Sequence, residues 1–399
     1  MNAADTSFVL VSAALVMFMT PGLALFYAGM VRAKNVLGTT MQSFTLLGLA
    51  SIVWAVAGYS LSFGSDIGGI IGGLDYLFLN GVGGEANGPV DNLPHAAFMI
   101  FQCMFAVITP ALITGAFAER MRFGAFLVFS TLWLILVYSP MCHWVWGGGW
   151  MGKMGALDFA GGAVVHMSSA AAALAGALVL GKRRGFGREP LMPHNLPMTI
   201  LGAGILWFGW FGFNAGSALA ANGTAANAFV ATHLASAAAA MSWIFVEWHH
   251  RGKPTTLGGA SGAVAGLVAI TPAAGFVGPM AGIIIGAVAG VLCYGGIMLK
   301  GKFKYDDALD VVGIHGVGGT WGALATGIFA TMNAKGLIAG NPGQVWIQIV
   351  SIVATWAFCF IVSYILFKLV DATIGLRISE EDEVRGLDVS EHKEAGYQI

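Results

Sequence analysis

The chain has 399 residues, of which 57% are apolar and only 10% are charged, and its mean hydropathy is +0.77. Because soluble domains carry roughly 25% charged residues, this composition indicates a polytopic membrane protein. The formal net charge of -1 gives no basic field for a nucleic acid, and the cysteines lack the spacing of a disulfide framework or a zinc site: Cys103, Cys142, Cys293 and Cys359. We therefore expect no nucleic-acid partner, no metal and no cofactor.

Eleven apolar stretches are long enough to cross a membrane, since a spanning helix needs about 20 apolar residues. They cover residues 6–31, 38–63, 96–118, 123–142, 158–181, 195–220, 226–248, 256–274, 276–299, 309–331 and 343–371. The predicted fold class is therefore an all-α polytopic membrane protein with eleven transmembrane helices. No positively charged segment precedes the first stretch and no small-residue cleavage site ends it, so we expect it to be retained as the first span.

Lysine and arginine occur mainly in alternate connections between the spans, where 13 of the 19 lie. In the opposite connections only Lys153 and Lys335 are found. Because basic residues concentrate in short cytoplasmic loops, this pattern predicts a cell-membrane protein with its N-terminus outside and its C-terminus in the cytoplasm. The charged C-terminal tail is then either solvated or a regulatory element docked on the cytoplasmic face.

The first ten spans divide into two halves of five. The segment GLALFYAG, which begins at Gly22 in the first span, matches GWFGFNAG, which begins at Gly209 in the sixth. Because each half has an odd number of spans, the second must enter the membrane the opposite way up, as in inverted-repeat transporters with a site near the midplane. The predicted organisation is one transporter domain (1–371), made of a first repeat (6–181), an inverted second repeat (195–331) and a last helix (343–371), followed by the cytoplasmic tail (372–399).

Two stretches place a carboxylate before a histidine inside an apolar span. DFAGGAVVH runs from Asp158 to His166 in the fifth span, and DVVGIH runs from Asp310 to His315 in the tenth. A charge at the centre of a membrane costs ~2.5–3.5 kcal/mol, so ionisable groups there indicate function. We predict that His166 and His315 line one conduction path, and that Asp158 caps its helix or contacts a cation directly. For Asp310 the simpler interpretation is a helix cap or a link to the loop of Lys302 and Lys304.

Most other histidines and aromatic residues have simpler explanations. His233 lies within the seventh span, where a hydrogen bond to a neighbouring helix is expected. Tryptophans form belts at both membrane interfaces and phenylalanines fill cores, which accounts for most aromatic residues. An aromatic cluster on the outer side of a path can nevertheless recognise small cations through the ring quadrupole. The candidates are Phe101, Phe105, Trp144, Trp146, Trp150, Trp207, Trp210, Phe211 and Phe213.

Five segments carry a resemblance to a known family. They are WFGWFGFNAGS (207–217), DFAGGAVVH (158–166), ERMRF (119–123), VWGGGW (145–150) and DVVGIHGVGGTWGALATGIF (310–329). Together they resemble the ammonium transporter family, Amt/Mep/Rh, in its bacterial or archaeal Amt branch, and the similarity covers essentially the whole chain.

The resemblance implies a homotrimer embedded in membrane lipid, in which each subunit has its own pore for ammonium or ammonia. It also implies that a trimeric PII-type nitrogen signalling protein docks on the tail and the cytoplasmic loops. The implied site residues are Phe105, Trp146 and Ser217 for ammonium recruitment, Phe105 and Phe213 for a phenylalanine gate, His166 and His315 for a pore proton relay, and Asp158 as a structural or electrostatic acid near the vestibule.

Two other functions are compatible with these residues. A narrow apolar pore with two polar side chains could pass a neutral solute such as water, urea or carbon dioxide. Alternatively, the protein could be an ammonium sensor that signals through its tail. An enzyme is not expected, because no nucleophile with a paired base is visible in the sequence.

Overall fold

The computed structural model describes residues 1–397 and is almost entirely helical. Within this range, nine helical segments are long and apolar enough to cross a membrane. Two shorter segments, Thr256–Ile270 and the continuous run of Val312–Gly316 with Val317–Phe329, complete the predicted total of eleven. The predicted fold class is thereby confirmed. The nine long segments are Ala3–Met30, Ala33–Phe63, His95–Ala116, Phe123–Met154, Gly162–Leu180, Leu196–Gly216, Gly223–Arg251, Pro279–Phe303 and Gly343–Ile374.

The α-helices, numbered in chain order, are α1 (Ala3–Met30), α2 (Val36–Val53), α3 (Tyr59–Phe63), α4 (His95–Ile113), α5 (Phe123–Trp133), α6 (Ser139–Val145), α7 (Trp150–Met154), α8 (Ser168–Leu180), α9 (Leu196–Gly216), α10 (Gly223–Arg251), α11 (Thr256–Ile270), α12 (Pro279–Phe303), α13 (Val317–Phe329), α14 (Gly343–Ile374), α15 (Glu380–Arg385) and α16 (Leu387–His392). π-Helical turns occupy Trp54–Gly58, Leu134–Tyr138, Gly162–Met167 and Val312–Gly316, and 3-10 turns occupy Ala33–Asn35, Leu77–Leu79, Thr114–Ala116 and Leu337–Ala339. The strands β1 (Asp66–Ile67) and β2 (Ile71–Gly72) pair antiparallel in a small hairpin.

Polar side chains fix where several of the apolar helices begin. Asn2, Asn195 and Asn222 each accept hydrogen bonds from backbone N–H groups in the first turn of α1, α9 and α10. Thr255 does the same for α11, and Gly252 ends α10 in the left-handed conformation. Such caps satisfy backbone groups that a helix end leaves unpaired. These capping residues therefore mark where the helices begin and end even where the apolar pattern of the sequence is continuous.

α1 and α9, which contain the two matched segments, cross in direct backbone contact. A Cβ atom on Gly22 would lie 2.6 Å from the Cγ2 atom of Ile205, and one on Gly202 would meet the backbone nitrogen of Phe26. Small residues permit this close approach between helices. The two halves are therefore joined along the helices that open them.

The two ends of the helical bundle carry different features. The end that we call the vestibule end holds the N-terminus, the β1–β2 hairpin and the loop before α4. In this loop the amide of Asn92 donates to Asp5 and to the carbonyl of Leu219. The opposite end, which we call the tail end, holds α15 and α16.

α15 and α16 are docked on the tail end through buried acidic side chains. Glu383 is only 1% exposed, and it accepts hydrogen bonds from the backbone nitrogen of Arg184 and from the guanidinium of Arg377, both at 2.7 Å. Asp388 accepts one from the backbone nitrogen of Gly38, near the start of α2, at 2.8 Å. Of the two alternatives for the tail, these two helices adopt the docked one.

Candidate functional site

The two histidines expected to line a path meet inside the bundle. Each lies in a π-helical turn at the start of a pore helix, Gly162–Met167 for His166 and Val312–Gly316 for His315. Their Nδ1 atoms are 3.2 Å apart, their ring centroids are 5.2 Å apart, and neither residue is more than 4% exposed. Because a neutral imidazole has one donor and one acceptor nitrogen, one Nδ1 donates to the other.

A narrow apolar cavity surrounds the histidine pair. Its free space is about 10 Å³, which is close to the minimum needed for one water molecule. The Nε2 atom of His166 has no hydrogen-bond partner within residues 1–397, so it is available to a small polar molecule. Apart from the two imidazoles, the cavity is lined by Met19, Leu23, Phe26, Ile108, Leu112, Val165, Leu206, Trp210, Phe213 and Val264.

Phe105 and Phe213 separate this cavity from a larger one at the vestibule end. Their ring centroids are 4.4 Å apart, and each residue is 1% exposed. Phe213 lines the histidine cavity, and its ring lies 6.1 Å from that of His166. Phe105 lines the larger cavity. The two residues of the expected gate are therefore in contact, and each borders one of the two spaces.

The larger cavity, which we call the vestibule, has a volume of about 320 Å³. Its walls include Phe105, Trp146 and Ser217, the three residues expected at the recruitment site. The ring of Trp146 meets that of Phe105 edge to face at 5.7 Å, and its Nε1 donates to the carbonyl of Asp158 at 2.9 Å. The hydroxyl of Ser217 donates to the carbonyl of Phe213 at 2.8 Å. Because that bond uses its proton, Ser217 presents only lone pairs to the vestibule.

Gln102 also lines the vestibule, and the sequence analysis did not identify it. Only 8% of the residue is exposed, and its Oε1 atom has no hydrogen-bond partner in the part of the chain that the structure describes. It lies three residues before Phe105 on α4, so the two share a helix face. That spacing is the only signal in the sequence that could have identified it.

Asp158 is a helix cap. Its two carboxylate oxygens accept hydrogen bonds from the backbone nitrogens of Gly161, Gly162, Ala163 and Val164, at 2.6 to 3.3 Å. Gly161 has φ +121°, a conformation that L side chains rarely adopt. Because all four bonds end on one carboxylate, the geometry favours the cap over direct contact with a cation.

The counterpart of Asp158 in the second half is Asp307, and the choice of Asp310 was wrong. Asp307 is fully buried and accepts from the backbone nitrogens of Val311 at 3.1 Å and Val312 at 2.8 Å. It precedes His315 by eight residues, the same separation as between Asp158 and His166. Burial raises the pKa of Asp307 to about 6.

Asp310 has a different role from Asp307. It has φ +63° and forms an ion pair with Lys300, whereas the expected link to Lys302 and Lys304 is not found among residues 1–397. Asp310 instead lines a third cavity, of about 310 Å³, at the tail end. Ser261 of α11 lines this third cavity, and Val264 of the same helix lines the histidine cavity. The two cavities are therefore about one helical turn apart along α11.

The other aromatic and histidine candidates lie outside the path or support its walls. Trp210 stacks on His166 with centroids 5.4 Å apart, and Phe101 packs edge to face on Phe105. The side chain of His233 makes no hydrogen bond within residues 1–397, so the expected bond between helices is absent there. Its exposed ring packs against Trp207 at 5.5 Å instead.

Comparison with known proteins gives the same family across the whole chain. A sequence model of the Ammonium Transporter Family matches residues 7–397. The ammonium transporter of Bacillus subtilis (strain 168) is 55% identical, with 100% of this chain and 99% of the relative covered. Ammonium transporter Amt1 of Archaeoglobus fulgidus is 50% identical, with 100% of both chains covered.

Solved structures agree with this assignment. The crystal structure of Saccharomyces cerevisiae Mep2 matches with a TM-score of 0.90 at 37% identity, and covers 96% of this chain and 88% of Mep2. A structure called Sensor Amt Protein matches with a TM-score of 0.91 at 29% identity, with 98% of both chains covered. This multi-pass membrane protein therefore belongs to the ammonium transporter family, as a relative of its bacterial and archaeal members.

Proposed function

We propose that the protein transports ammonium across a membrane by binding the cation in the vestibule, removing its proton and conducting ammonia past the histidine pair. The observation that carries the proposal is the order of three parts along one line: the vestibule, the Phe105 and Phe213 pair, and the apolar cavity with its paired imidazoles. The names of the sequence relatives support the substrate.

An intact ammonium ion is too costly to place in the histidine cavity. The idealised cost of moving such an ion into a dry interior is of order 20 kcal/mol, and several kcal/mol are left after relaxation. A desolvated cation–π contact returns only ~2 kcal/mol. Aromatic rings can therefore hold the ion at the vestibule, where it stays partly hydrated, but cannot carry it further.

Recruitment combines aromatic faces with oxygen acceptors. Trp146 and Phe105 supply the rings, and the Ser217 hydroxyl supplies an oxygen whose own proton is already engaged. The Oε1 atom of Gln102, which has no hydrogen-bond partner among residues 1–397, is a further acceptor on the same wall. An ammonium ion has four N–H donors and no acceptor, so this set of groups matches its chemistry.

Loss of the proton removes the barrier to conduction. Ammonia is neutral and close in size to water, so it fits the space of about 10 Å³ beside the imidazoles. The Nδ1 to Nδ1 hydrogen bond lets a proton received by one histidine pass to the other. Potassium has no proton to lose, so the same cavity excludes it. Asp158 acts here as the cap that holds the start of the pore helix.

The distribution of lysine and arginine supports an orientation with the vestibule end outside and the tail end in the cytoplasm. Transport would then recruit ammonium from the medium. Apolar side chains on α10, such as Phe245 and Trp248, are more than half exposed and would face lipid or the neighbouring subunits of a homotrimer. The trimer itself is proposed from the family resemblance.

Current across a liposome bilayer that contains the protein tests the proposal. We expect a current on adding ammonium and none on adding potassium. His166→Ala and His315→Ala each break the imidazole pair, so each should lower the ammonium current at least tenfold, since positioned proton transfer contributes roughly 100-fold or more. Ser168→Ala, which changes another buried polar residue of the same span, is the control.

Two results would contradict the mechanism. If both histidine variants keep the full ammonium current and still exclude potassium, the proton relay does not exist. If wild-type liposomes swell in ammonium but carry no current, the protein is a channel for a neutral solute.

A second role as an ammonium sensor is favoured by one observation, the docked tail. α15 and α16 rest on the tail end through Glu383, which contacts the loop after α8, and Asp388, which contacts the start of α2, so a change in either segment reaches the tail directly. One structural relative is called Sensor Amt Protein. A PII-type signalling protein is the partner proposed for this surface, from the family resemblance. The two roles are separable, because sensing needs the tail contacts and the pore does not.

A further inference from the structure

Both ring nitrogens of His143, at the end of α6, face oxygen atoms that accept hydrogen bonds. The residue is fully buried. Its Nδ1 lies 2.9 Å from the carbonyl oxygen of Ser62, and its Nε2 lies 2.9 Å from Oδ1 of Asp66 in β1. A carbonyl oxygen cannot donate, and a neutral imidazole has only one N–H. A neutral His143 would therefore leave one of its two nitrogens facing an acceptor with no proton between them.

Asp66 does not supply the missing proton. Its Oδ1 also accepts from the backbone nitrogen of Gly69 at 2.8 Å, and its Oδ2 accepts from the ammonium group of Lys153. The contacts with His143 and Lys153 hold the pKa of Asp66 at about 2, so the carboxyl is ionised at neutral pH. The charged groups that face His143 are thus Asp66 from β1 and, beyond it, Lys153 from α7.

We propose that His143 is a doubly protonated imidazolium that clamps the β1–β2 hairpin to the segment carrying Trp146, and that it is a positioning residue for the cation site of the vestibule. The inference rests on the proposed function, because it deepens the role of Trp146 in recruitment. The new element is the buried cation of His143, which does not itself contact the substrate.

Two backbone hydrogen bonds connect His143 to the turn that follows Trp146. The carbonyl of His143 accepts from the backbone nitrogens of Gly147 at 3.1 Å and Gly149 at 2.9 Å, which fixes the turn that follows Trp146. The indole of Trp144 donates to Ile70 in the hairpin at 2.7 Å. The turn from Trp146 to Gly149 is therefore held by the end of α6, and Trp144, just before this turn, is bonded to the hairpin.

Among these contacts, we expect loss of the ion pair between His143 and Asp66 to weaken ammonium binding most. Hydrogen bonds between charged groups are roughly twice as strong as neutral ones, and removing one partner leaves the other buried charge uncompensated. Lys153 holds the same carboxylate from the solvent side, and its side chain is 61% exposed, so its contribution is screened. It offers a matched control, with the same charge and the same acceptor but a different degree of burial.

The first test measures the protonation of His143 directly. Protein labelled with nitrogen-15 at histidine is placed in lipid nanodiscs at about pH 8, where an ordinary histidine is neutral, and the signal absent from His143→Gln is assigned to His143. We expect both ring nitrogens to carry protons. A single protonated nitrogen would overturn the proposal, and this readout does not depend on transport.

The second test separates positioning from folding. His143→Gln and Asp66→Asn should each raise the ammonium concentration at half-maximal current about tenfold, while Lys153→Gln changes it less than about threefold. If His143 and Asp66 act as one clamp, the double variant should be no worse than either single variant. Additive effects of the two substitutions, or an equal effect of Lys153→Gln, would overturn the clamp. Absence of ammonium current in the wild type would instead count against the proposed function.

Discussion

At the scale of single residues, two polar side chains in the wall of the vestibule, Ser217 and Gln102, offer hydrogen-bond acceptors. The Ser217 hydroxyl donates its hydrogen bond to the carbonyl of Phe213, and Gln102 has an amide oxygen without a partner in residues 1–397. Both oxygens therefore face the vestibule as acceptors. A ligand rich in donors satisfies them, whereas a ligand that lacks donors leaves at least one buried acceptor unpaired, at a cost of ~1–3 kcal/mol.

Gln102→Leu removes one acceptor while keeping a side chain of similar size. We expect it to raise the ammonium concentration at half-maximal current about tenfold, because a hydrogen bond to a charged group contributes ~1.5–3 kcal/mol. Gln102→Glu keeps an oxygen in the same place and can add a negative charge beside the cation, so the ammonium concentration at half-maximal current should not rise above that of the wild type. The same half-maximal concentration for all three proteins would show that Gln102 makes no contact with the cation.

Most of the candidate site residues could be identified from the sequence, but Gln102 could not. His166 and His315 stood out because ionisable groups deep in apolar spans are costly. Gln102 did not, since a single neutral amide in an apolar helix is equally typical of a hydrogen bond between helices. What distinguishes it is the missing partner, and that is a property of the folded chain alone.

At the scale of elements, both pore helices begin in a π-helical turn that a buried carboxylate caps. The sequence analysis paired Asp310 with Asp158 because each precedes the histidine of its apolar span, by five and by eight residues. The folded chain shows instead that the eight-residue separation is the conserved quantity between the halves, which selects Asp307. The π-helical turns themselves have no recognisable pattern in the sequence, so neither could be predicted.

The two acidic residues before His315 should differ in their effect on stability. Asp307→Ala leaves the backbone nitrogens of Val311 and Val312 without a buried acceptor, and we expect a loss of about 2 kcal/mol in the free energy of unfolding. Asp310→Ala removes an ion pair in which the carboxylate is 30% exposed, and should cost less than ~1 kcal/mol.

Thermal unfolding in detergent compares the stability of the Asp307→Ala and Asp310→Ala variants. The wild type and the two variants should rank in the order wild type, Asp310→Ala, Asp307→Ala from the highest midpoint to the lowest. The reverse order of the two variants would restore Asp310 as the counterpart of Asp158.

At the scale of the whole molecule, the tail and the bundle form one body through a few buried contacts. Composition alone predicted a charged tail and could not decide whether it was solvated or docked. The deciding residues are Glu383 and Asp388, which accept hydrogen bonds from the backbone nitrogens of Arg184 and Gly38, both far away in sequence. Pairings between distant segments are not readable from a single sequence.

Glu383→Ala should release the tail without closing the pore. Removing one partner of a buried ion pair costs ~3–5 kcal/mol, so the undocked population rises steeply. We expect limited proteolysis between residues 377 and 397 to become at least about tenfold faster, since cleavage follows the open population. Glu380→Ala, an exposed position on the same helix, is the control and should cleave as the wild type does.

The ammonium current of Glu383→Ala should stay within about twofold of the wild-type current, because none of the tail residues up to position 397 lines the histidine cavity. A collapse of the current in this variant alone would mean that docking of the tail gates the pore, and the sensing and transport roles would then be one mechanism.

The glycine contact between α1 and α9 bears on how such a protein can move. Alternating-access carriers rock one half against the other around a central site. Here the halves touch backbone to backbone at Gly22 and Gly202, so rocking would drive main-chain atoms into each other. The moving parts are then side chains, above all the rings of Phe105 and Phe213, and side-chain rotations are far faster than domain motions. On the proposed function, we therefore expect a channel with fixed walls, in which rotation of the Phe105 and Phe213 rings opens the route for each ammonia molecule.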